Sequence, residues 1–178
     1  VQSTVWGPVF DSDHRGRRRV HAWVAHEPGG VNLGLSELEL VRSVDEALEV
    51  AHRAGAPAQN LVCGDRTGRI AWTLLGRIPR RTGLDGSVPT SWSDGSRRWD
   101  GWLNPGEYPR VVEPPKGILW TANARVVDGK DLASLGDGGY DLGARARQIR
   151  DGLRALDQAT EGDLLAVQLD DRALFLAP

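Results

Sequence analysis

The stretch AQNLVCGDRTGRIAWTLLG, residues 58–76, decides the fold class. Leu61-Val62-Cys63 is a short apolar run and Ile70-Ala71-Trp72-Thr73-Leu74-Leu75 is a second one. Between them lies Asp65-Arg66-Thr67-Gly68, in which Asp can bond its own backbone and Gly supplies the positive φ of a tight turn. Two β-rich arms around such a turn predict an antiparallel hairpin over residues 60–76. Immediately before it, Ser43-Val44-Asp45-Glu46 reads as a capping box. Val44, Ala47, Leu48, Ala51 and Ala54 follow at helical spacing, and Gly55 and Pro57 stop the helix. Hairpins beside an amphipathic helix, in a chain rich in Gly and Pro, read as a turn-rich α+β or α/β protein and not a bundle.

Moving outward, residues 4–10 read as a strand with a Gly7-Pro8 break, and residues 11–19 as a polar turn. Residues 20–26 alternate as a second strand, so that 4–26 makes a long hairpin with His21 and His26 on opposite faces. Residues 79–117 mix Pro, Gly, Trp and charge without periodicity and read as a long structured loop. Its Trp92, Trp99, Trp102 and Tyr108 argue against disorder. Ile118–Ala122 reads as a short strand delivering Asn123. Residues 142–156 read as a basic amphipathic helix with Leu142, Ile149, Leu153 and Leu156 on one side, and Thr160-Glu161-Gly162-Asp163 as the cap of another helix.

Composition narrows the function. The 178 residues are one domain's worth, with Gly at 22 positions, nearly twice the usual share of about 7%. Net charge is −2, from 22 basic and 24 acidic residues, which gives no support for a nucleic-acid or membrane-surface role. No apolar run approaches a membrane span. The single Cys, Cys63, has no internal disulfide partner and reads as a small buried hydrophobe.

The run Arg15-Gly16-Arg17-Arg18-Arg19 is flanked by Asp11 and Asp13 and reads as a solvated hairpin tip. Those same residues do not make a calcium loop, because Arg15 and Ala22 stand where ligands are needed. No His-Glu-x-x-His, nucleophile elbow or Walker loop occurs, so no metal and no catalytic nucleophile is assigned. The chain does not begin with Met, and its apolar run through Phe175 and Leu176 meets no cap, so the expectation is an interior piece, residues 1–178, truncated at both ends.

One segment can present chemistry. Thr121-Ala122-Asn123-Ala124-Arg125 delivers a side-chain amide, a neutral donor able to face a developing oxyanion. Taken alone, a loop Asn bonding its own backbone is the more ordinary reading.

The order of segments resembles the penicillin acylase family. Thr4-Val5-Trp6-Gly7-Pro8-Val9 is similar to its Thr-x-His-Gly-Pro-Val stretch. Gln59-Asn60 through Asp65, Gly68 and Ile70 resembles its Gln-Asn-to-Asp-Gly-Ile segment, and Gly76-Arg77-Ile78-Pro79 its Gly-Arg-Ile-Pro signature. Trp99-Asp100-Gly101-Trp102, Tyr108-Pro109-Arg110, Thr121-Ala122-Asn123-x-Arg125, Tyr140 to Ile149 and Gln168-Leu169-Asp170 follow in register.

The resemblance implies a four-layer αββα N-terminal-nucleophile hydrolase fold of antiparallel strands with a few helices. It also implies amide hydrolysis of a penicillin, acyl-homoserine lactone or related N-acyl compound. It assigns Asn123 to the oxyanion hole and Arg145 to site organisation, although a lone Arg on a basic helix is also simply an exposed charge. The family's nucleophile segment has no counterpart, Ser3 is not a substitute, and Trp6 stands at the family's His. The expected partners are therefore the remainder of one precursor, an α-chain and the rest of the β-chain, and the isolated chain is expected to be inactive and to self-associate. No cofactor is assigned. A family calcium site is not traceable near Ser134. The alternative is a non-catalytic ligand-binding or interaction domain on the same scaffold, using its Trp-rich loop.

Overall fold

The computed structural model describes residues 1–136 and 138–176. Every strand pairing in it is antiparallel. The central unit is the expected hairpin, β4 (Gln59–Gly64) against β5 (Ile70–Leu75), with β8 (Arg110–Val112) added on the far side of β5. Asp65 closes the turn as its sequence suggests. Its carboxylate accepts from Thr67 N at 2.9 Å and from the Thr67 hydroxyl, while Gly68 takes φ 87°.

The helix α1 (Val44–Arg53) covers one face of this sheet. Ser43 Oγ accepts from Glu46 N at 3.3 Å. The Glu46 carboxylate takes the N–H of Arg42 at 2.7 Å, one residue earlier than a capping box would have it. Val44, Leu48 and Ala71 form a core cluster with Val112 packed against it, and Val50, Ala51, Ala54 and Ile78 are also buried. Cys63 is half-buried against this cluster, and burial pushes its thiol pKa up. Tyr108 locks the far end: its buried hydroxyl accepts from Ile78 N at 3.2 Å and donates to Gly76 O at 2.9 Å.

Before α1, β1 (Ser3–Thr4), β2 (Gly7–Ser12) and β3 (Arg18–Val20) form a small sheet. The second arm is shorter than its alternation suggests, and Val24–His26 winds into a 3-10 turn. Pro8 lies opposite His21 and accepts its N–H at 3.0 Å but has no N–H to return, so the ladder ends there. The basic tip is exposed, as expected, with Arg17 paired to Asp13 at 2.7 Å and Arg19 to Asp11.

Residues 79–117 are not a loop throughout. β6 (Pro79–Thr82) pairs with β7 (Arg98–Trp102), and β8 lies further on. The pairing slips by one residue between Trp99 and Trp102, where Gly101 takes φ 78°, and this bulge hides the strand's alternation. Ile118–Ala122, expected as a strand, pairs with no strand among the described residues.

α2 (Gly129–Leu135) and α3 (Ala144–Arg154) follow. Leu142 lies ahead of α3 and is exposed, outside the apolar stripe expected of it. α4 (Glu161–Gln168) is capped as expected, Thr160 and Asp163 satisfying each other's backbone N–H groups. It packs on α3 where Gly152 meets Val167.

Leu164, Leu165, Leu169, Phe175 and Leu176 stay exposed. The accessible surface totals 12212 Å², against about 8,500 Å² for a compact monomer of 19.4 kDa. Much apolar surface in this chain is therefore left uncovered.

Candidate functional site

The sheet β4–β5–β8 has two faces. Ala71 and Thr73 point to α1, while Trp72 points to the other side along with Asn60 and Val62, as strict alternation requires. On this second face the segment carrying Asn123 lies against β4: Asn60 Nδ2 donates to Ala122 O at 3.3 Å. Trp72 Nε1 donates to Asn60 Oδ1 at 2.8 Å.

Asn123 itself is exposed, held from the other direction by the N–H of Asp141, which donates to its carbonyl at 2.9 Å. Arg145 stands in the first turn of α3, and its guanidinium donates to Asn123 Oδ1. The Asp141 carboxylate lies 3.7 Å from the same guanidinium. The two residues singled out from the sequence are thus in direct contact.

Their contact has a chemical consequence. A guanidinium only donates, so the side-chain oxygen of Asn123 must face Arg145. The NH₂ group of Asn123 then points away from Arg145. Nearby, Arg125 lies over the ring of Tyr140 at 5.8 Å and Arg154 over Trp120 at 5.5 Å, so cations and rings on either side of the Asn123 segment pack in pairs.

The remaining candidates are arranged differently. His21 and His26 do not face opposite sides. The 3-10 turn brings their rings to 5.7 Å edge-to-face, with Trp23 stacked on His21 at 6.0 Å. Ser3 lies exposed in β1. Among the described residues no group of three or more His, Cys, Asp or Glu side chains could hold a metal ion, and no helix is long and apolar enough to cross a membrane.

The Trp-rich segment packs largely on itself. Trp92 and Trp99 lie 6.2 Å apart, Trp99 and Trp102 6.5 Å, and Arg77 sits 4.9 Å over Trp102. His52 is a functional-looking residue with a structural role. Thr73 Oγ1 donates its proton to Pro109 O at 2.8 Å, so it must accept from His52 Nε2, 2.9 Å away. His52 is therefore the neutral Nε2–H tautomer, and burial lowers its pKa to about 4. Asn60 and Asp141 were not marked as site residues by sequence reasoning; the Gln59-Asn60 pair in the family-like segment was the one available signal.

The chain has relatives among known proteins. The fold matches that of the thermostable penicillin G acylase of Alcaligenes faecalis, with a TM-score of 0.73, 23% identity, and coverage of 93% of this chain and 30% of that one. That likeness shows the fold, α+β with antiparallel sheets and helices, as expected from sequence. The chain belongs to the penicillin amidase family, whose model matches residues 1–177.

Among curated relatives, it is 31% identical over 144 residues to the acyl-homoserine lactone acylase QuiP of Pseudomonas fluorescens, covering 79% of this chain and 17% of that protein. It is 29% identical over 144 residues to the protein of the same name in Pseudomonas aeruginosa, covering 81% of this chain and 17% of that protein. The penicillin acylase 2 proenzyme of Pseudomonas sp. is 33% identical over 93 residues, 52% of this chain and 12% of that protein. The chain thus spans about a sixth of the length of the acyl-homoserine lactone acylases it matches.

Proposed function

We propose that this chain contributes the oxyanion-stabilising amide of an amidohydrolase that cleaves the acyl amide bond of an N-acyl compound of the penicillin or acyl-homoserine lactone kind. The observation that carries this reading is the Arg145–Asn123 contact, which turns the Asn123 NH₂ outward. Asn123 Nδ2 then donates to the carbonyl oxygen as it becomes an oxyanion, and Arg145 acts through Asn123 as a positioning residue.

The nucleophile is an N-terminal Ser supplied by the remainder of the precursor. Its hydroxyl attacks the carbonyl carbon while its own α-amine takes the proton. Collapse of the tetrahedral intermediate breaks the C–N bond, and the leaving amine receives that proton. Water then adds to the acyl-enzyme and releases the acid. The α-chain and the rest of the β-chain cover the apolar surface of α4 and the residues after it, and the isolated chain turns over nothing.

Hydrolysis of phenylacetyl and long-chain acyl p-nitroanilides tests this in the processed enzyme and in the isolated chain. Asn123→Ala in the enzyme lowers kcat about 100- to 1,000-fold, the loss typical of one oxyanion donor. An unchanged kcat overturns the oxyanion role, and genuine turnover by the isolated chain would place a nucleophile within it.

A further inference from the structure

We infer that Asn60 is a positioning residue for Asn123, tethering the oxyanion donor to the protein core through Trp72. The inference rests on the proposed role of Asn123 and adds to it the group that fixes where that donor stands.

The argument begins in the core. Trp72 is 2% exposed and stands in the middle of β5, the central strand of its sheet, so its indole N–H is a fixed point. Asn60 pairs with Leu74 and Val62 with Trp72, which sets Asn60 diagonally opposite Trp72 on one face of the hairpin. An indole N–H can only donate, so the Asn60 oxygen must face it at 2.8 Å and the Asn60 NH₂ must face away. That NH₂ meets Ala122 O at 3.3 Å. The carbonyl it holds belongs to the peptide unit whose N–H is that of Asn123.

Residues 118–122 have no strand partner among the described residues, so a side chain stands in for a ladder bond at this point. The next carbonyl, that of Asn123, is held by Asp141 N–H at 2.9 Å, and its side-chain oxygen by Arg145. Asn60 is the link of this set that reaches the core. A donor misplaced by about 1 Å costs roughly 100-fold in rate.

Asn60→Asp is the discriminating variant. It is isosteric, keeps an acceptor for Trp72, and sets a carboxylate oxygen against Ala122 O where a donor had been. Because residue 60 is exposed, the change leaves the core intact. In the processed enzyme, with the two p-nitroanilides as probes, kcat falls about 10- to 100-fold and KM stays within about threefold. Trp72→Phe, which removes the N–H that orients Asn60 together with part of the buried indole ring, lowers kcat in the same direction and lowers Tm as well. Thr73→Val, a buried change on the opposite face, lowers Tm and leaves kcat unchanged. Hydrogen exchange of the Asp141 N–H, which reports whether the Asn123 carbonyl stays in place, speeds up by about tenfold in Asn60→Asp.

If Asn123→Ala loses activity while Asn60→Asp keeps the kcat of the unsubstituted enzyme, the positioning role is overturned and the oxyanion reading stands. If Asn123→Ala is also silent, or the enzyme hydrolyses neither probe, the oxyanion reading falls. Exchange at Asp141 then decides the tether on its own: faster exchange supports it and unchanged exchange overturns it.

Discussion

The guanidinium of Arg145, in the first turn of α3, donates to the side-chain oxygen of Asn123, 22 residues earlier in the chain. The contact is exposed, so its worth as a stabilising interaction is small. Its consequence is orientation, because an amide with a committed oxygen has a committed NH₂.

Arg145→Ala in the processed enzyme therefore frees the Asn123 amide to rotate, and kcat falls by about 10-fold or more with KM little changed. Arg145→Lys restores part of the rate, since an ammonium still donates but lacks the planar fork. Steady-state kinetics on an acyl p-nitroanilide reads both; equal kcat in Arg145→Ala and the parent removes Arg145 from the site.

His52 makes stability depend on pH. Its pKa is about 4 in the fold, lowered by burial, against 6.5 for an ordinary His. Between these values the unfolded chain binds a proton that the folded chain refuses. Stability is thus full above about pH 6.5 and falls as pH drops toward 4, by a total on the order of 3 kcal/mol. Urea unfolding from pH 4 to pH 7 should show this slope, and His52→Gln should flatten it.

Tyr108→Phe removes one hydroxyl that serves both Ile78 N–H and the Gly76 carbonyl in a buried place. Leaving these groups unpaired costs about 1–3 kcal/mol, readable as a lower urea midpoint with an unaltered m-value. Gly76→Ala strikes the same corner harder. Gly76 takes φ 95°, and a Cβ there would come within 2.3 Å of Ala56 O. Strain of about 1–3 kcal/mol is expected before the clash is counted.

The exposed apolar side chains Leu164, Leu165, Leu169, Phe175 and Leu176 lie close together in sequence, on α4 and the turn that follows it. Uncovered apolar surface of this kind drives association. The isolated 178-residue chain should self-associate in multi-angle light scattering as concentration rises. A clean monomer at high concentration would show that this surface is tolerated in water.

The parts of the fold legible in sequence are those whose signals are local. The β4–β5 hairpin carries two apolar runs and a turn whose Asp and Gly dictate its geometry, α1 carries a cap and apolar spacing, and α4 carries a cap. Asn123 and Arg145 came from motifs in register with a known family, since neither is distinctive alone.

What only the tertiary structure decided depends on partners distant in the chain. Strands β6 and β7 are separated by 15 residues and offset by a bulge, so neither shows a clean period. Residues 118–122 have the composition of a strand, yet a strand exists only where another can exchange backbone hydrogen bonds with it, and here a side chain takes that place. His21 and His26 meet because the chain winds into a 3-10 turn at Val24–His26, beyond the end of the β2–β3 ladder. The bond from Asn60 to Ala122 spans 62 residues, and no local pattern encodes it. It follows from which faces of the sheet are left to be covered once α1 has taken one of them.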